Sequence, residues 1–258
     1  MTAKPPVFYF LMQVRFNRIT QMRQHVSAFQ EVLRQDGFAD FNEEFQLEVA
    51  WQQGGNAQPS IQEARRERWI FSDMDRRSGF VLLDDALVFH TTAYTRFSDC
   101  KAAMLKALKQ LDVEVDLNFV QRIGMRYLDQ ITAQDLSSLG QWVHPGLLGL
   151  AGDMAGNLRY AYSESVSLID GFTLVLKSTQ SPAGLVMPAD MQDIALTLPD
   201  EVTGNRQPQV VMDSDCYVEK RFPFDLGVIE DQLGHLHDKL LGLFKSSLTE
   251  KARKLWQL

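Results

Sequence analysis

Three acidic side chains, Asp213, Asp215 and Glu219, fall in or beside one apolar run, VVMDSDCYVE. On a strand, alternate residues share a face, so two of these carboxylates can chelate a hard cation such as magnesium. A metal held there would suit phosphodiester cleavage, with nearby arginines positioning the phosphate. A solvated strand face explains the same pattern, because like charges two residues apart are tolerated in water. A second candidate is the basic group Arg65, Arg66, Arg68, Arg76 and Arg77 around Trp69 and Phe71. Arginines beside an exposed aromatic combine phosphate contacts with base stacking. Glu67, Asp73 and Asp75 dilute that charge, and a protected strand with Trp69 in the core is the competing reading.

The five histidines supply weaker patterns. His235 follows Asp231 by four residues and precedes Asp238 by three, so a helix puts all three on one face. That grouping also describes an ordinary charged helix surface. His90 sits in an apolar strand and reads as a core or interface residue, and His144 before Pro145 reads as a turn. Gly146, Gly149, Gly152 and Gly156 lack the Lys-Ser/Thr pair of a phosphate loop and read as a connection or a short packed helix. There is no His-Glu-x-x-His, no Cys-x-x-Cys and no Gly-x-Ser-x-Gly elbow, so no catalytic residue is assigned and no cofactor is implied.

The elements that must position these groups alternate between strands and amphipathic helices. Val7 to Phe16 reads as a buried strand, and Met22, Val26, Phe29 and Leu33 carry helical spacing up to a stop at Gly37. Phe45, Leu47 and Val49 alternate with polar residues before the loop QQGGNAQPS. Strands follow at Arg68 to Met74 and Gly79 to Tyr94, the second turning at Asp84-Asp85, and Ser98 precedes a helix ending near Leu111. The second series has strands at Leu117 to Leu128, Leu158 to Ser167, Phe172 to Thr179 and Gln209 to Glu219. It closes with a helix from Asp225 to about Ser246 and a short helix capped by Ser247 with Glu250.

Both series open and close alike. VRFNRIT at Val14 to Thr20 echoes MRYLDQIT at Met125 to Thr132, and YTRFSD leads into one helix as EKRFPFD leads into the other. We therefore expect an α+β protein of two related, tightly fused lobes, 1–113 and 114–258, each a mainly antiparallel sheet with helices on one face. In the final helix Ile229, Leu233, Leu236, Leu240 and Leu243 recur at three- and four-residue steps. This seam is either the lid of the second lobe or a homodimer contact.

The chain resembles a sporadically distributed prokaryotic family of uncharacterised proteins of similar size. The likeness rests on RIGMRYLDQIT, on VVMDSDCYVE and on LHDKLLGLFKSSLTEKARKLW, and spans nearly the whole chain. Arg122, Gly124, Arg126, Tyr127 and Ile131 match the family's Arg-Gly-Arg-Tyr-Ile strand, with Asp129 at its Asn position and Leu248-Thr249 at its Ile-Thr. The resemblance implies mobile, defence-linked genes and carries no catalytic residue.

At 258 residues with a net charge of −7, the chain is long enough for a large core and lacks the global positive field of most phosphate-backbone binders. No run approaches the roughly 20 apolar residues of a membrane helix, and no signal segment opens it, so a cytoplasmic protein with reduced Cys100 and Cys216 is expected. The leading expectation is a non-catalytic binding or regulatory protein that works through a protein partner or self-association. A metal-dependent phosphodiesterase or nuclease, or a nucleic-acid-binding protein, is the alternative.

Overall fold

A computed structural model describes residues 6–52, 60–149, 157–192 and 194–257, without the side chains of 46–52 and 60–65. The loop expected at 52–60, apart from its two ends, and the Gly152–Gly156 end of the glycine-punctuated segment lie outside the described residues.

The first half runs β1 (Val7–Phe16), α1 (Met22–Gln35), β2 (Asp40–Gln52), β3 (Ser60–Ser72), β4 (Ser78–Leu82), β5 (Ala86–Thr91) and α2 (Phe97–Val115). The second runs β6 (Phe119–Thr132), β7 (Ala161–Ile169), β8 (Phe172–Ser181), the single turn α3 (Asp200–Thr203), β9 (Gln209–Val218), β10 (Phe222–Pro223), α4 (Leu226–Ser247) and α5 (Glu250–Trp256). All strands join one antiparallel sheet in the order β2-β3-β4-β5-β1-β6-β9-β8-β7, with β10 against the start of β6. In each half the opening strand pairs with the last long strand, β1 with β5 and β6 with β9. The sheet continues through the β1–β6 pair, so both halves contribute to one layer.

β6 is buried on both faces over 123–129, and β1 is buried on its helix face and half-buried on the other, which is why β1 reads as a nearly unbroken apolar run. Its Phe10, Met12, Val14 and Phe16 alternate toward α1, α2 and α4, which lie side by side on one face. Met22, Val26, Phe29 and Leu33 form the buried stripe of α1, and Gly37, at φ +95°, supplies the left-handed turn that ends it. The seam of α4 packs on the protein's own sheet: Ile229, Leu233, Leu236 and Leu240 are buried in the core, and Leu243 is half-buried against it. The apolar stripe of α4 is thus covered by the protein's own core.

Two helix starts differ from expectation. Ser98 lies inside α2, which starts at Phe97 and continues to Val115. Ser247 closes α4, donating its hydroxyl to the Leu243 carbonyl, while Thr249 caps α5 by accepting from the Ala252 N–H. Among the described residues no helix is long and apolar enough to cross a membrane.

Candidate functional site

The face turned away from the long helices carries a cluster of charged side chains. Alternation brings Gln13 and Arg15 of β1, Arg122 and Arg126 of β6, and Asp213, Asp215 and Tyr217 of β9 to this side. Its centre is an arginine held between two carboxylates. Arg126 Nε and Nη2 donate to both oxygens of Asp213, at 2.6 and 2.7 Å, and Nη1 and Nη2 donate to Asp190, at 2.6 and 3.1 Å. Asp213 is 3% exposed, so this is a buried fork-to-carboxylate pair, and Asp190 closes it from the solvent side. Hydrogen bonds from Arg126 hold the Asp190 carboxyl below its ordinary range despite partial burial.

That geometry places the three expected metal ligands in different settings. Both oxygens of Asp213 already accept from Arg126, and Glu219 is exposed, with Oε1 3.7 Å from Arg122 Nε. Asp215 is partly buried, and burial raises its carboxyl, which opposes the charge a cation ligand needs. Among the described residues no three His, Cys, Asp or Glu side chains gather as a ligand set.

The residues of the basic candidate are likewise dispersed among local partners. Trp69 is buried beneath α1, because its register partner Leu82 sits on the core face, so it offers no stacking surface. Arg66 is paired with Asp84 and Asp85, Arg68 with Glu44, and Arg76 with Asp40, while Arg77 donates to the Thr92 hydroxyl and carbonyl. Carboxylates thus hold the guanidinium groups of Arg66, Arg68 and Arg76, which phosphates would otherwise engage. The Arg65 side chain lies outside the described residues. The histidines separate: His235 is exposed beside Phe172, and His144 Nδ1 accepts from the Gly146 N–H in its turn.

His90 has a setting the sequence did not announce. A hollow of about 570 Å³ on the open face is lined by Tyr9, Gln13, Arg68, His90, Asp190 and Met191, among others. The Tyr9 hydroxyl and His90 Nδ1 share a 2.9 Å hydrogen bond, and the buried Nε2 has no partner among the described residues. Burial, helped by the positive charge of Arg68, lowers His90 to about 4, and burial raises the Tyr9 phenol. At neutral pH the pair is therefore uncharged, able to offer a hydrogen bond but not a ready ionic group.

The consequence for stability has a definite sign. An unfolded His90 binds a proton near pH 6.5, whereas the folded one resists it until about 4. Its contribution is complete above pH 6.5 and declines as pH falls toward 4, by about 3 kcal/mol. In urea unfolding, the stability of His90→Gln relative to the parent chain should therefore rise by about 2 kcal/mol between pH 7 and pH 4.5.

The two edges of the sheet differ. β2 carries Asp40, Glu43, Glu44 and Glu48, charges of the kind that discourage edge pairing. β7 has Glu164 as its one charge and neither proline nor glycine. Its Tyr162, Val166 and Leu168 are 52%, 63% and 76% exposed, on the face opposite Ser163, Ser165 and Ser167. Comparison with protein-family models, curated proteins and solved structures finds no match to this chain.

Proposed function

We propose that this is a binding protein that acts by self-association, two copies joining edge to edge along β7. The observation that carries the reading is β7 itself, a nine-residue strand at the end of the sheet with exposed apolar side chains and a single charge. Among the described residues no strand pairs with this outer edge and its hydrocarbon is exposed, the condition that favours pairing with another strand.

Its sequence is also self-complementary. An antiparallel pair centred on Ser165 sets Tyr162 of one copy opposite Leu168 of the other, Ser163 opposite Ser167, and Glu164 opposite Val166. Aromatic–aliphatic and hydroxyl pairs then face each other, and no like charges stand directly opposite. In this reading the charged hollow remains open on each copy.

Sedimentation velocity across a concentration series tests both the contact and its register. Val166→Glu sets acids opposite Glu164 twice across the axis, and dimer affinity should fall about tenfold or more. Val166→Lys sets opposite charges there and should retain the dimer. A parent chain that stays monomeric at high concentration, or a dimer indifferent to Val166→Glu, would overturn the proposal.

A further inference from the structure

On the helix side, a separate cavity of about 150 Å³ lies where α4 crosses β6 and β9. Tyr94, Tyr127, Asp129, Ser214, Leu240 and Phe244 help to line it. Alternation explains why an acid is there: Asp129 follows Tyr127 by two residues on β6, and Ser214 is the register partner of Tyr127 on β9. Both polar side chains belong to the face that α4 covers.

Their hydrogen bonding is unfinished. Asp129 is 2% exposed, and among the described residues neither its Oδ1 nor the buried Ser214 Oγ has a partner. The other polar groups are engaged with one another. Tyr127 and His237 share a 3.0 Å hydrogen bond through the phenol oxygen and Nδ1, the Tyr94 and Tyr127 hydroxyls lie 3.4 Å apart, and the His237 ring stacks on Phe97. The cavity's free polar capacity is therefore concentrated on one carboxyl and one hydroxyl, set against aromatic and leucine walls.

This arrangement selects by chemistry. A carboxyl disfavours an anionic ligand, and one carboxyl with one hydroxyl is too small a donor set for a hard divalent cation. A small cation with several N–H donors satisfies both oxygens, and aromatic rings favour its charge. At roughly 30 Å³ per water, the cavity spans about five water volumes, the scale of a short alkyl chain with one polar end. We propose that this cavity binds a small aliphatic amine in its ammonium form, which donates to Asp129 and Ser214 and lays its hydrocarbon against Leu240 and Phe244.

Binding must move a proton. Burial alone pushes Asp129 up to about 8, so in the empty cavity it is mostly protonated at pH 7. The titratable groups facing it are Tyr127 from β6, Tyr94 from the segment before α2, and His237 from α4. Burial raises both phenols and lowers His237, so all three are uncharged at that pH. An arriving ammonium keeps its own protons and favours the Asp129 carboxylate, whose proton leaves to solvent.

Isothermal titration calorimetry of the full chain with n-butylammonium chloride at pH 7, in buffers of differing ionisation enthalpy, tests this. The expected result is saturable binding at least tenfold tighter than 1-butanol, with close to one proton released. Asp129→Asn should weaken binding at least tenfold and abolish proton release. Leu241→Trp, which fills the cavity from α4, should block binding while leaving the circular dichroism spectrum unchanged. No saturable binding, equal affinity for 1-butanol, or binding that persists in Leu241→Trp overturns the proposal. The proton count and the Leu241→Trp result decide the matter even if Asp129→Asn does not fold.

Discussion

Replacing Arg126 with methionine lowers the free energy of unfolding by about 3–5 kcal/mol, the usual cost of breaking a buried ion pair from one side. The substitution keeps an unbranched chain of similar reach and removes all four hydrogen bonds to Asp213 and Asp190. The two carboxylates then fare differently. Asp190 keeps 58% of its side-chain surface in solvent and can turn to water, so its loss is small. Asp213, at 3% exposure, keeps its place in the ladder and has nowhere to turn. The double variant Arg126→Met, Asp213→Leu should recover most of the loss, because a buried ion pair and an apolar pair of similar volume are close in stability. Urea unfolding followed by tryptophan fluorescence measures both, with buried Trp69 as a reporter. A single variant that loses under about 1 kcal/mol would mean that water reaches Asp213, and the paired reading of this face would fall.

Much of this layered α+β fold was legible because its elements carry strong periodicities. The apolar run of β1, the three- and four-residue steps of α1 and α4, and the turn at Asp84-Asp85 each specify local structure without knowledge of neighbours. Local signals also misled. Ser247 with Glu250 imitates a capping box, yet the Ser247 hydroxyl bonds inside α4 and Thr249 takes the cap, a choice set by where α4 stops packing. The candidate sites were less legible, since their meaning depends on partners far along the chain. Asp213 looks like a metal ligand until Arg126, 87 residues away, is placed beside it. Trp69 looks available for stacking until α1 covers its face of the sheet. His90 acquires its role from Tyr9, 81 residues distant. Asp129 did leave a local trace, an acid between Tyr127 and Ile131 at strand spacing in an otherwise buried run. Strand alternation puts such an acid in the core, but only the packing of α4 decides whether it finds a partner there.

That buried acid gives the second large effect, and its sign is opposite to that of an ordinary salt-bridged carboxylate. Asp129 has a folded value of about 8, against about 3.9 in an unfolded chain. Between those limits the folded state retains a proton that the unfolded state gives up, so stability falls as pH rises from about 4 to about 8. Four units correspond to a loss on the order of 5 kcal/mol, complete above pH 8 and a large share of the total stability of most domains. Asp129→Asn keeps the shape and removes the titration. It should match the parent chain near pH 4 and exceed it by several kcal/mol at pH 8.5 in urea unfolding. His90 slopes the other way between pH 4 and 6.5, so the parent profile alone mixes the two groups, whereas the difference between parent and Asp129→Asn isolates the carboxyl. A difference that does not change with pH would mean that Asp129 ionises as freely in the fold as outside it. The cavity would then already be solvated, and the proton release expected on amine binding would disappear with it. A difference that grows toward high pH would show an acid kept at a real cost to the fold, as a ligand site requires and a merely structural position does not.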